Sequence, residues 1–214
     1  MQHDMYYALV WRLTWSSNGY RGWDHFTYKE WLYGKRPGFG YVKDYGFGHE
    51  WWNFYEGFSD GYYYGYAPPI HFRRPKRFIN GGVIFYITNP PLSTQWYLVG
   101  VYGQAVILEK PEFNVVLWDL VPDDFKNEIL DVTAKQLKGL EYEPLPSPTY
   151  FIIKARKEYS TPMPRPMPIS LQKDIGVKML GSAMYMYLSY KDALNLLDKA
   201  IDFIEKVKAV SQLE

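Results

Sequence analysis

Two segments carry side chains suited to holding a flat, charged ligand. The first is His49-Glu50-Trp51-Trp52-Asn53-Phe54. An indole ring stacked on a nucleobase contributes ~1–3 kcal/mol, and the amide of Asn53 offers a paired donor and acceptor to a base edge. The bland alternative is that both tryptophans are core. The tract around them has many glycines and few aliphatics, so the expectation is that Trp51 or Trp52, but not both, lines an open pocket. The second segment is His71-Phe72-Arg73-Arg74-Pro75-Lys76-Arg77, with four cations in five positions of a chain whose formal net charge is +1. Phosphate contact is the economical reading; a solvated charge run is the alternative. Lys154, Arg156, Lys157 and Arg165 form a looser basic segment.

Enzyme chemistry finds less support. Glu50, Glu56 and Asp60 flank the aromatic tract and could in principle form a glycosidase pair, and His49-Glu50 could be an acid/base pair. Acidic residues beside glycines are more often solvated turn residues, and such a histidine is more often a hydrogen-bonded loop residue. No phosphate-cradling Gly-x-x-x-x-Gly-Lys-Ser/Thr loop, no Gly-x-Gly-x-x-Gly turn and no Gly-x-Ser-x-Gly elbow is present. Cysteine is absent, which excludes disulfides and thiolate ligands. The four histidines, His3, His25, His49 and His71, show no helical metal-ligand spacing. A binding module with no cofactor and no metal is therefore expected rather than an enzyme.

The elements that must position these residues follow from hydropathy patterning. Residues 6–14 form an apolar, aromatic run expected to be a central strand. Residues 40–66 follow neither a period of 2 nor of 3.6, so they should be irregular. Residues 83–89 and 96–108 should pair as a hairpin across a Pro-Pro turn, with 83–87 against 97–102 and bulges at Gly100 and Gly103. Residues 121–140 should be a helix with Phe125, Ile129, Leu130, Val132, Leu137 and Leu140 on its apolar face. Residues 149–157 should be one strand. The four prolines of 159–170 point to an extended surface loop, a crossing strap in preference to a contact arm. A C-terminal amphipathic helix should begin after Ser189 and bury Ala193, Leu194, Leu197, Ala200, Ile201, Ile204 and Val207.

The hairpin carries a family resemblance. Val83-Ile84-Phe85-Tyr86 and Val99-Gly100-Val101-Tyr102-Gly103-Gln104-Ala105 resemble the central hairpin of the PUA-like superfold, above all its EVE and YTH branches. Asn89 resembles the asparagine closing the first hairpin strand in YTH domains. Trp51-Trp52-Asn53 resembles the segment that supplies cage residues there, and Thr14-Trp15-Ser16-Ser17-Asn18 resembles the polar exit of their first strand. Two features depart from the pattern: the insert before Trp51 is long, and the second cage aromatic has only Trp118 as a candidate. The length and the C-terminal helix look most like the N-terminal specificity domains of McrB proteins, which belong to modification-dependent restriction systems.

The resemblance implies an α+β domain over residues 1–189. It would be a curved, mostly antiparallel sheet or small barrel flanked by helices, with residues 190–214 as a helix packing on it or leading to a further domain. It also implies a reader that flips a modified base, methylated adenine or cytosine, out of double-stranded DNA into an aromatic cage. Trp15, Asn18, Trp51, Trp52, Asn53, Asn89 and Trp118 would form the pocket. Arg73, Arg74, Lys76, Arg77, Arg156 and Lys157 would hold phosphates, and a GTPase motor and a nuclease subunit would be partners. A carbohydrate-binding or modified-RNA-binding module is the competing expectation. The N-terminus lacks a basic segment followed by a long apolar run, and no stretch approaches ~18 apolar residues. A cytoplasmic protein without a membrane partner is expected.

Overall fold

The computed structural model describes residues 4–33, 46–68, 74–111, 113–136, 148–180 and 184–212. Strand β1 (Tyr6–Arg12) leads to helix α1 (His25–Leu32), a 3-10 turn (His49–Trp52) and strand β2 (Tyr62–Gly65). The hairpin β3 (Phe78–Thr88) and β4 (Trp96–Ile107) follows. Then come β5 (Phe113–Val116), a 3-10 turn (Leu117–Leu120), helix α2 (Asp123–Gln136), β6 (Pro148–Phe151), β7 (Ile153–Arg156) and β8 (Thr161–Ile169). A short helix α3 (Leu171–Asp174), strand β9 (Tyr185–Tyr187) and helix α4 (Tyr190–Ser211) complete the chain.

The fold is α+β. Among the described residues, seven strands form an open sheet in the order β2-β7-β4-β3-β1-β9, with β8 also paired to β4; β5 and β6 form a separate ribbon. All pairs are antiparallel except β1 with β3. The expected hairpin is present, with Ile84 opposite Tyr102, Tyr86 opposite Gly100 and Thr88 opposite Tyr97. Its register slips near Gly100 and near Gly103. Both glycines are required by close approach: a Cβ on Gly100 would lie 2.2 Å from the Phe54 ring, and one on Gly103 would lie 2.2 Å from the Tyr159 carbonyl oxygen.

The nearly continuous apolar runs of β1 and β3 are buried on both faces of the sheet. Alternate side chains enter different cores. Leu9, Trp11, Ile84, Tyr86 and Tyr102 face one cluster; Val10, Phe85, Ile87, Leu98 and Val101 face the other. The second cluster is closed by α4 through Leu196 and Ala200. Helix α4 matches its expected span and its Ser189 cap, which accepts from the Asp192 backbone N–H. Its buried stripe is rotated from the expected one: Leu196 is buried, whereas Leu194 and Ile201 are exposed.

A third cluster is almost wholly aromatic. Trp23, Tyr28, Phe47, Trp51, Trp52, Phe58, Tyr64 and Phe151 pack together with Leu117, Val121 and Ile129. This is where the irregular tract gains its order: 3-10 turns and short strands are held by ring-against-ring packing instead of a regular backbone ladder.

Two other expectations are corrected. Residues 149–157 are not one strand but two, β6 and β7, which break at Ile152 and enter different sheets. Residues 161–169 are not a surface loop but strand β8 on β4. Its four prolines alternate with residues that keep their N–H, so one side of the strand retains donors. An edge strand needs no more. On α2, Ile129 is buried as expected, whereas Leu130 is exposed; Leu137 and Leu140 lie outside the described residues.

Candidate functional site

The loop leaving β1 is built around one carboxylate. Asp24 is buried and accepts from Ser17 Oγ at 2.7 Å, Ser16 Oγ at 3.0 Å, Thr27 Oγ1 at 2.7 Å and the backbone N–H groups of Ser17, Asn18 and Thr27. Burial opposes its ionisation, but the bonds from Thr27 and Ser17 outweigh that, and its pKa lies below the ordinary aspartate value. The same side chain caps α1. Asn18 closes the turn from the other side. Its carbonyl oxygen accepts from the Tyr20 N–H and shares the single Ser16 hydroxyl proton with Asp24, while its amide donates to the carbonyls of Gly22 and Trp23.

This bracing holds an unfavourable backbone. Gly19 and Tyr20 both have positive φ, 71° and 65°. For tyrosine that conformation costs about 1–2 kcal/mol. Tyr20 is kept there by complete burial and by its hydroxyl, which donates to the Thr14 carbonyl at 2.7 Å. Strained backbone of this kind is stored where a surface must keep one shape.

Across from this loop, β8 bulges. Its register with β4 jumps from Leu98–Met167 to Gly100–Pro162, so residues 163–166 stand out of the ladder. The braced loop, Val99 of β4 and this bulge enclose a cavity of about 230 Å³. Trp15 forms part of its wall and is backed edge-on by Tyr97, ring centroids 6.4 Å apart. Met163, Pro164 and Pro166 form the apolar side, and Arg21 and Arg165 also line it. A second cavity, about 250 Å³, lies between the start of β1 and α4 and is lined chiefly by apolar and tyrosine side chains.

The structure brings together only part of the expected cage. Trp15 and Asn18 share the first cavity. Trp51 and Trp52 do not open to any pocket: both are fully buried, with Trp23 packed against each at 5.5 and 6.5 Å. The expectation that one of them would be open fails because aromatic rings from distant segments supply the packing that local aliphatics lack. Asn53 is buried as well, its amide pairing with both backbone groups of Tyr66 at 2.9 Å each. Asn89 donates to the Ser93 carbonyl inside the hairpin turn, and Trp118 packs on the third cluster.

Four of the six expected phosphate-binding cations have protein partners. Arg74 donates to the carbonyls of Leu108 and Glu109. Arg77 donates to the Asp4 carbonyl and lies against the rings of Tyr6 and Tyr187. Lys157 bonds the carbonyls of Glu56 and Phe58 and pairs with the Glu56 carboxylate. Arg156 pairs with Glu158. Lys76 is exposed, and Arg73 lies outside the described residues.

The carboxylates considered for catalysis are likewise engaged. Glu50 is buried and accepts from the Thr14 backbone and hydroxyl. Glu56 accepts from the Tyr63 hydroxyl and Asp60 from that of Tyr64. Among the described residues no three His, Asp or Glu side chains gather as a metal site, and no helix is long and apolar enough to cross a membrane.

Sequence reasoning missed Asp24, Arg21, Val99 and the β8 bulge. Asp24 had a legible signal, since Asp24 and Thr27 have N-cap spacing behind a Ser-Ser-Asn turn. The bulge had none, because its position depends on register with β4. Comparison with known proteins gives no match: no family model, no curated protein and no solved structure matches the chain.

Proposed function

We propose that the chain is a PUA-like binding domain that reads a modified base in double-stranded DNA, with the flipped base entering the cavity beside Trp15. One observation carries this reading: a rigidly braced cavity combines an aromatic wall, an apolar proline and methionine wall and two arginines. A flat ring stacks on the indole for ~1–3 kcal/mol. The apolar side accommodates a methyl group that an unmodified base lacks, a difference of order 1 kcal/mol per buried methyl. Flipping costs unstacking and unpairing of the base, and a pre-braced site adds little ordering cost of its own. Nothing in this arrangement requires a bond to be broken, so the domain acts as a specificity element, and any motor or nuclease activity belongs to a partner.

The test is a mobility-shift titration with methylated and unmodified duplexes in low salt without metal. The wild type should prefer a methylated duplex. Trp15→Ala should retain the fold by circular dichroism and lose roughly ten- to a hundred-fold in affinity for that duplex. Absence of any nucleic-acid binding in low salt would overturn the proposal and leave carbohydrate binding at the Trp15 face as the reading to pursue.

A further inference from the structure

The polar side chains of the cavity divide sharply. Ser16, Ser17 and Asn18 are committed to Asp24, to one another or to backbone carbonyls, and the Tyr20 hydroxyl is held by Thr14. Arg21 and Arg165 are exposed and have no hydrogen bond or ion pair among the described residues. Arg165 rests over the Phe203 ring of α4 at 5.5 Å, a contact that orients the guanidinium without neutralising it. The two arginines come from different walls, one from the braced loop and one from the β8 bulge. Both can only donate, and both are permanently charged.

A ligand that satisfies this cavity must therefore bring acceptors of negative charge close to its ring. Resting on the base-reader proposal, we infer that the cavity takes its ligand as a nucleotide, with the phosphates flanking the flipped base bound by Arg21 and Arg165. Within the basic run, Arg74 and Arg77 already spend donors on carbonyls of the fold, which leaves them fewer N–H groups for a phosphate than Arg21 and Arg165 have. Guanidinium and phosphate pair bidentately, which fixes the depth of the ring in the cavity as well as adding affinity. A neutral sugar or a free nucleoside would leave both arginines without a counter-charge.

The experiment uses two methylated duplexes, identical except that one has neutral methylphosphonate linkages on both sides of the modified base. The wild type should bind the neutralised duplex at least tenfold more weakly. Arg21→Gln and Arg165→Gln should each fold normally and lower the slope of log affinity against log salt by about one. The doubly substituted protein should no longer distinguish the two duplexes. If the wild type binds both duplexes equally and still prefers methylated to unmethylated DNA, the phosphate inference is overturned while the base-reader proposal stands. If the wild type binds neither, both fail. A drop in melting temperature for one arginine variant leaves the methylphosphonate comparison on the wild type as the deciding measurement.

Discussion

Asn53 and Tyr66 are joined as one strand residue is joined to another: the side-chain amide donates to the Tyr66 carbonyl and accepts from its N–H, each at 2.9 Å. An amide in this position stitches the 3-10 turn to the end of β2, and its complete burial keeps it from presenting an edge to a ligand. Asn53→Ala leaves both backbone groups of the half-buried Tyr66 unpaired and should destabilise the domain by about 1–3 kcal/mol. Asn53→Asp should cost at least as much, because a carboxylate cannot donate to the Tyr66 carbonyl. Thermal denaturation of the two variants checks this; melting temperatures equal to wild type would mean that the pairing is not structural.

The neighbouring tryptophans should behave alike. Trp51→Ala and Trp52→Ala each empty a fully buried site and should cost ~3–5 kcal/mol. The phenylalanine variants should cost less, because neither indole N–H has a partner among the described groups. If one alanine variant melts as the wild type does, that ring is not core.

Asp24 ties the Trp15–Arg21 loop to α1. Asp24→Ala removes a helix cap and leaves several buried donors unpaired, so a loss of about 1–3 kcal/mol is expected. Its depressed pKa gives the pH dependence a definite sign. The stabilisation is present above the unfolded value of about 3.9 and is lost as pH falls through the lower folded value. Acid titration of the wild type should therefore show a loss of stability in that range which Asp24→Ala lacks.

His25, the first residue of α1, packs against α2. Its ring stacks on Phe125 with centroids 3.7 Å apart, its Nδ1 accepts from the Trp23 indole N–H at 3.3 Å, and its Nε2 faces Glu128 at 3.2 Å. Burial lowers its pKa, with Glu128 acting in the opposite direction. The neutral ring is thus favoured on folding. The corresponding stability is complete above the unfolded pKa of about 6.5 and falls as pH drops toward the lower folded value. Melting temperatures at pH 7.5 and pH 5 should differ more for the wild type than for His25→Gln; equal differences would dismiss the role.

On α4, Leu196 and Leu194 face opposite surroundings, 1% and 40% exposed. Leu196→Ala should cost about 2–5 kcal/mol. Leu194→Ala should cost well under half as much. Chemical denaturation decides between them, and the reverse order would mean that the helix packs on its other face.

Local patterning determined much of this protein. Continuous apolar runs rich in aromatic and β-branched residues at 6–14, 83–89 and 96–108 set β1 and the hairpin, since a strand buried on both faces is written in consecutive residues. Ser189 and the apolar periodicity set the start and length of α4, because capping and the 3.6-residue repeat are local. Trp15 and Asn18 stood out only through the resemblance of their segment to the polar exit of a PUA-like first strand, and the fold sets both on one cavity. Tertiary structure alone decided the rest. The burial of Trp51 and Trp52 depends on Trp23, Phe47, Phe58 and Phe151, rings that adjoin them only after the chain has folded. Whether Arg74 and Arg77 are free depends on carbonyls and tyrosines far away in sequence. The placing of Arg165 on the same cavity as Arg21 depends on a register jump between β8 and β4. Such contacts join residues separated by tens of positions, and composition and spacing carry no record of which distant surfaces will meet.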